Sequence, residues 1–267
     1  MRIFHPQMTL HGAERDNSFV VQDLAGVELG QGWLRATSAR ERMPERPLHI
    51  TFQMDAHPRA RDMLYGALIA RAMCLCRQRA DIPARVMTEC HPNDVEMLAF
   101  FEEAGFDLDD GEELFRWTLT PRDRPFYQPM SMTLDYAPLH TAAEWRALLQ
   151  RIAQYAGEHE PEWLQEAAEL PYFMVLGVYT TEECVGEILV TGNEGEAVLE
   201  MLYVLPAWRR HHVATALLLR AQEELLARGA QTLRVQARRS NAAALDMLQA
   251  HGFQWLHTVK VYPGMNL

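Results

Sequence analysis

The sequence predicts an α/β fold in which two related mixed-sheet domains follow one another along 267 residues. Three observations point to it. A domain takes up roughly 150 residues, so the chain has room for two ordinary ones. The segments NDVEMLAFFEEAGF at 93–106 and SNAAALDMLQAHGF at 240–253 read as one short helix written twice, each stopped by Gly. Upstream of each lie, in the same order, a strand, a Pro-x-x-Arg corner, a long amphipathic helix and a short strand; Pro58 and Arg61 return as Pro206 and Arg209, 148 residues further on.

The first copy reads as hairpin strands around 18–36, a strand at 48–55, a long helix at 61–80, a strand at 84–90, the short helix, and a strand at 113–119. TPRDRPFYQP is rich in Pro and polar residues and reads as a linker, which divides the chain into domains 1–120 and 131–267 with 121–130 between them. The second copy opens with a strand, SMTLDYAP, and adds two helices that the first lacks. One is TAAEWRALLQRIAQYAGE, with Thr141 and Glu144 spaced as a capping box; the other is PEWLQEAAEL, with Pro at its start. Strands at 172–180, 184–191 and 197–205 follow, the last leading into the long helix at 208–228.

Hydrophobic residues make up 48% and charged residues 23%, which excludes a disordered chain, a collagen-like repeat and a disulfide-stapled miniprotein. The balance of 36 acids against 25 bases, net −11, has the wrong sign for a nucleic-acid backbone or an anionic membrane. No apolar run approaches the roughly 20 residues a membrane span needs, and MRIFHPQMTL lacks the apolar core of a signal peptide; a cytoplasmic protein is expected. Cys74, Cys76, Cys90 and Cys184 form no CxxC pair and no matching His spacing, so no metal is expected and the thiols are expected to be reduced. A homodimer is left open.

The turn in LEMLYVLPAWRRHHVATALLLRA is the most specific feature. A strand ends at Pro206 and a helix opens among basic and small residues, which gathers unpaired backbone N–H groups and the positive end of a helix dipole at one point. Such a point takes an anion, with phosphate as the natural ligand. Arg209 and Arg210 add charge, and Ala214 leaves room for close approach.

From the strand at 184 to the C-terminus these residues resemble the GNAT acyl-CoA N-acyltransferases. That family carries Val-x-Pro-x-x, then Gln or Arg, two residues, Gly, one residue, and Gly or Ala. Here the pattern appears as Val204, Pro206, Arg209, His212 and Ala214, with His212 at the central Gly position; the first copy repeats it loosely as Pro58, Arg61, Leu64 and Gly66. Asn241, Ala244, Gly252 and Phe253 are similar to the family's closing motif. The two copies together resemble a tandem GNAT protein.

The resemblance implies acetyl-CoA as acyl donor. The backbone of Leu202, Tyr203 and Val204 would hold its pantetheine arm beside a splayed strand pair. Arg209 would open the phosphate motif, and the N–H groups of Arg210, His211, His212, Val213, Ala214 and Thr215 would cradle the pyrophosphate. Asn241 and Ala244 would reach the pantetheine side.

Amine acylation also needs a base, because an alkyl ammonium titrates near ~10.4 and is protonated at neutral pH. Glu200 is the candidate; strand alternation places it on one face with Leu202 and Val204. The family's usual proton donor, a Tyr four residues before the Gly of Gly-Phe, is Leu248 here and Phe101 in the first copy. The acid is therefore left to Tyr203, Tyr262, His251 or water. The first copy has Phe52 opposite Glu200 and Asp62 opposite Arg210, and is read as a degenerate scaffold with Gly66 as its one remaining feature for CoA.

Eleven acids and no Lys or Arg occupy 152–208, an acidic wall that suits a cationic small-molecule amine. The expected function is N-acetyl transfer to such an amine. The alternative is a non-catalytic acyl-CoA sensor on the same fold.

Overall fold

The structure, a computed structural model, describes residues 1–38, 47–79, 81–121, 132–157 and 159–267. Its strands and helices alternate as the repeat predicts. In chain order they are β1 (Arg2–Phe4), β2 (Ser18–Gln22), β3 (Glu28–Ser38), β4 (Leu48–Ala56), α1 (Pro58–Arg77), β5 (Ala84–Met87), α2 (Val95–Glu103) and β6 (Gly111–Thr118). There follow β7 (Thr133–Tyr136), α3 (Ala142–Tyr155), α4 (Pro161–Ala168), β8 (Met174–Tyr179), β9 (Cys184–Asn193) and β10 (Glu196–Val204). The last are α5 (Val213–Ala227), β11 (Thr232–Arg238), α6 (Ala242–Ala250), β12 (Gln254–Val261) and β13 (Gly264–Asn266).

The chain forms two compact units that are not contiguous in sequence. The first holds Met1–Glu112, Arg238–Ser240 and Thr258–Leu267; the second holds Glu113–Ala237 and Asn241–His257. This differs from a division at residue 120, and strand pairing is the reason. β6, which the repeat assigns to the first copy, is hydrogen bonded between β11 and β12 in the seven-stranded sheet β12-β6-β11-β10-β9-β8-β7. β13, at the other end of the chain, completes the six-stranded sheet β1-β2-β3-β4-β5-β13 by pairing antiparallel with β5. Of the linker expected at 121–130, Pro121 is described and the rest lies outside the described residues.

In the second unit β8 is buried through Val178 and β9 from Val185 to Thr191, because helices cover both faces of the sheet. One core, with Leu176, Ile188, Leu199, Leu217, Leu233 and Phe253 among its members, lies on the α5 side. The other joins Leu148 and Ile152 of α3 and Leu164 of α4 to Leu189, Met201 and Tyr203. The capping box is present as expected: Thr141 Oγ1 accepts from the Glu144 N–H, and the Glu144 carboxylate accepts from the Thr141 N–H at 2.7 Å. Those hydrogen bonds from Thr141 hold the Glu144 carboxyl below its usual range. Pro161 opens α4, and no helix among the described residues is long and apolar enough to cross a membrane.

Candidate active site

The site is built where two parallel strands part. β10 and β11 pair only from Glu196↔Thr232 to Leu199↔Val235. Beyond Leu199, β10 continues to Val204 with a ladder to β9, and from Glu200 onward its other edge has no strand partner among the described residues. An extended, amide-bearing arm can hydrogen bond to such an edge as an added strand would.

At the point where the strands part, the β9–β10 register shifts: Leu199 faces Val190 and Met201 faces Leu189, leaving Glu200 as the extra residue of a bulge. The bulge reverses the alternation. Ala197 and Leu199 belong to the α5-side core, yet Met201 and Tyr203 belong to the α3–α4 side. Glu200 therefore does not share a face with Leu202 and Val204, which pack on the α5 side. Its carboxylate accepts a 2.6 Å hydrogen bond from Thr191 Oγ1, on the opposite face of the sheet.

Past Val204 the chain turns into the long helix as the sequence predicts, though that helix begins later than position 208. Pro206–Trp208 is a single 3₁₀ turn, Arg209 is extended, and Arg210 and His212 are both left-handed, with φ of 64° and 60°. The family's Gly is explained by this geometry, because L residues reach positive φ only at a cost; His is among the types that visit it more readily. α5 has no side-chain cap, and its first intrahelical bond runs from the Ala216 N–H to the His212 carbonyl. The N–H groups of Val213, Ala214 and Thr215 are thus left for a ligand at the helix start. Backbone N–H groups around left-handed residues form an anion-binding concavity of the same kind. The position of the helix start is set by Gly186 of β9, where a Cβ would meet Val213 Cγ1 at 2.8 Å and the Tyr203 carbonyl at 2.9 Å.

Arg209 Nε donates to the Val204 carbonyl at 3.3 Å, and His211 Nδ1 lies 2.9 Å from the Arg209 carbonyl. Arg210 is exposed. Replacing it with Gly should relieve the positive φ and stabilise the fold by about 1 kcal/mol, a rise in Tm of roughly 2–4 °C. Thermal denaturation checks this; a lower Tm would show that the Arg side chain contributes more to the turn than its backbone costs.

Asn241 is the N-cap of α6, its Oδ1 accepting from the Ala244 N–H at 3.2 Å, so its carbonyl oxygen and the Ala244 N–H are engaged with one another. The proton-donor candidates separate. Tyr262 belongs to the first unit. Tyr203 stacks on Tyr155 of α3, with centroids 4.1 Å apart, and its hydroxyl bonds to Cys184 on β9, away from the open edge of β10. Burial, then Glu187 and Cys184, push the Tyr203 phenol well above its ordinary value, so it stays neutral. His251 ends α6 with Nδ1 2.8 Å from the Met247 carbonyl, and lines a cavity of about 430 Å³ with Trp117, Thr215 and Gln222. Leu248 is fully buried.

Two features of the site go beyond the sequence reading. Glu187, 1% exposed on β9, is held by Arg151 of α3 through Nε at 2.7 Å and a second guanidinium nitrogen at 2.9 Å. A lone Glu in the apolar run VGEILV is the sequence signal for such a buried pair. Thr191 carries no signal, since a Thr in a strand is ordinary. Among the described residues no group of three His, Cys, Asp or Glu side chains could hold a metal ion.

The first unit repeats the splay without the turn. β4 pairs with β5 only from Leu48↔Ala84 to Thr51↔Met87 and then runs on to Ala56. However, His57 alone separates β4 from α1, and helix occupies Pro58–Leu64, the counterpart of Pro206–His212. Pro58 has no N–H, His57 Nδ1 takes that of Arg59 at 3.2 Å, and the His57 carbonyl takes that of Ala60. Gly66 lies inside α1, with no protein atom within 4 Å of where a Cβ would stand. Phe52, in place of Glu200, packs edge-on against Phe101 and Phe106.

Residues 142–253 match the model of the Acetyltransferase (GNAT) family. Apart from Arg238–Ser240, that match falls within the second of the two mixed-sheet units. Among solved structures, the GCN5-related N-acetyltransferase from Sphaerobacter thermophilus is 17% identical with a TM-score of 0.53, the match covering 96% of this chain and 82% of that one. The GCN5-related N-acetyltransferase from Anabaena variabilis is 13% identical, TM-score 0.55, over 95% of this chain and 63% of that one. Eis1 from Mycobacterium abscessus is 13% identical, TM-score 0.53, over 94% and 64%. At these identities the likeness concerns the fold. No curated protein sequence matches the chain.

Proposed function

We propose that the second unit transfers an acetyl group from acetyl-CoA directly to a primary amine. The observation that carries this reading is the linear succession of three features. A carboxylate stands at the bulge, an unpaired strand edge runs from it, and an anion turn ends that edge. Those features match the acyl end, the amide-bearing arm and the pyrophosphate of an acyl-CoA.

Glu200 would take a proton from the incoming ammonium. The free amine then attacks the thioester carbonyl carbon, the new C–N bond forms, and the C–S bond breaks to release CoA as a thiolate that solvent can protonate. A backbone N–H of the open edge near Val204 would polarise the carbonyl during the attack. No acid from the protein is needed for the last step. A thiolate is a good leaving group, which suits a site with Leu248 where the family's Tyr usually stands.

A cationic acceptor is favoured by charge. Glu160, Glu162, Glu166 and Glu169 are exposed at and around α4, whereas Glu187 pairs with Arg151 and Glu196 with Arg234. The attracting field is thus carried by α4 together with the exposed Glu182, Glu183 and Glu194, and not by the paired Glu187 and Glu196. The test is release of free thiol from acetyl-CoA with a panel of cationic, neutral and acidic amines. Turnover with cationic amines, and a Michaelis constant that rises with salt, are expected. Acetyl-CoA binding without turnover for any amine would make the unit a sensor instead.

A further inference from the structure

We propose that Thr191 is the positioning residue of the base: it holds the Glu200 carboxylate in one orientation so that the second oxygen faces the acceptor amine. The inference rests on the reading of Glu200 as base and adds a residue that neither the family motif nor the sequence pattern marks.

A carboxylate on a flexible side chain at a partly buried bulge can rotate among several orientations. Here Thr191 Oγ1 donates to Glu200 Oε1 at 2.6 Å, the short distance of a hydroxyl bonded to a charged acceptor. Thr191 is itself 3% exposed, so its hydroxyl has little competition from water. Its backbone is fixed by the hairpin: Thr191 pairs with Val198, and the next residue is Gly192, where a Cβ would meet the Ala197 Cα at 2.8 Å. The two strands are therefore clamped on one side of the bulge by Gly192 and on the other by the resumed pairing of Met201 with Leu189. A bulge re-aims a side chain, and the Thr191 hydroxyl fixes where it is aimed.

The decisive substitution is Thr191→Val, which keeps the β-branched shape of a buried strand residue and removes the hydroxyl. The kcat should fall about 10- to 100-fold, the scale set by small misplacements of a reacting group. The KM for acetyl-CoA should stay within about twofold, so that the loss falls on the chemical step and not on binding of the donor. Thr191→Ser should keep most of the activity. Thr191→Val added to Glu200→Gln should cause no further loss, since the two residues act through one carboxylate. If the Val variant does not fold, Thr191→Ala is read by the same measurements. The inference is overturned if Thr191→Val has normal kcat while Glu200→Gln is inactive. It is also overturned if Ser and Val are equally impaired, or if the Val substitution still costs activity on top of Glu200→Gln. A fully active Glu200→Gln would remove the base reading itself, and this inference with it.

Discussion

Glu200→Gln is expected to lower kcat by about 10²- to 10⁴-fold, the usual contribution of a general base, with the affinity for acetyl-CoA unchanged within about twofold. Gln has the same length and can still accept from Thr191 Oγ1, so the bulge and its 2.6 Å contact should survive the substitution. What is lost is the ability to take a proton. Steady-state rates with a good acceptor, alongside a binding isotherm for acetyl-CoA, separate the two effects. Loss of donor affinity in step with kcat would mean that Glu200 supports the bulge and the open edge rather than the chemistry.

Arg210→Glu is expected to weaken acetyl-CoA binding by about 10- to 100-fold, or roughly 1.4–2.8 kcal/mol. Arg210 is exposed and is itself one of the two left-handed residues of the turn, where a phosphate would gather the N–H groups of α5. Reversing its charge places a carboxylate at the same point, as Asp62 does in the first copy. The loss should shrink with added salt, because the contact is at the surface. Titration of the variant at low and high salt checks both parts; an unchanged affinity would move the phosphates elsewhere.

The fold is legible because its repeat is spaced in sequence: the two Pro-x-x-Arg corners lie 148 residues apart and the two Gly-stopped helices 147, and each element they imply is present. The capping box of α3 and the Pro that opens α4 act locally, which is why single residues announce them. Strand partners depend on residues far away in the chain. Nothing in GEELFRWT or GMN says that β6 completes the second sheet and β13 the first. The anion turn is visible as Arg209, Arg210 and the small residues after them, but its two left-handed positions are occupied by Arg and His, which announce no positive φ. Strand position singles out Glu200 but misplaces its facing, since a bulge adds one residue without leaving a mark in an alternating pattern. Thr191 becomes visible only through its contact with Glu200.

The claim that one unit of this tandem pair carries an acyl-CoA site, at the parting of β10 and β11, is tested most directly by calorimetric titration with acetyl-CoA. One molecule should bind per chain, and Arg210→Glu should weaken that single event, because the first unit has helix where the second has its anion turn. Two equivalents per chain, or a binding event that Arg210→Glu leaves untouched, would contradict the assignment of the site; no binding at all would contradict the function.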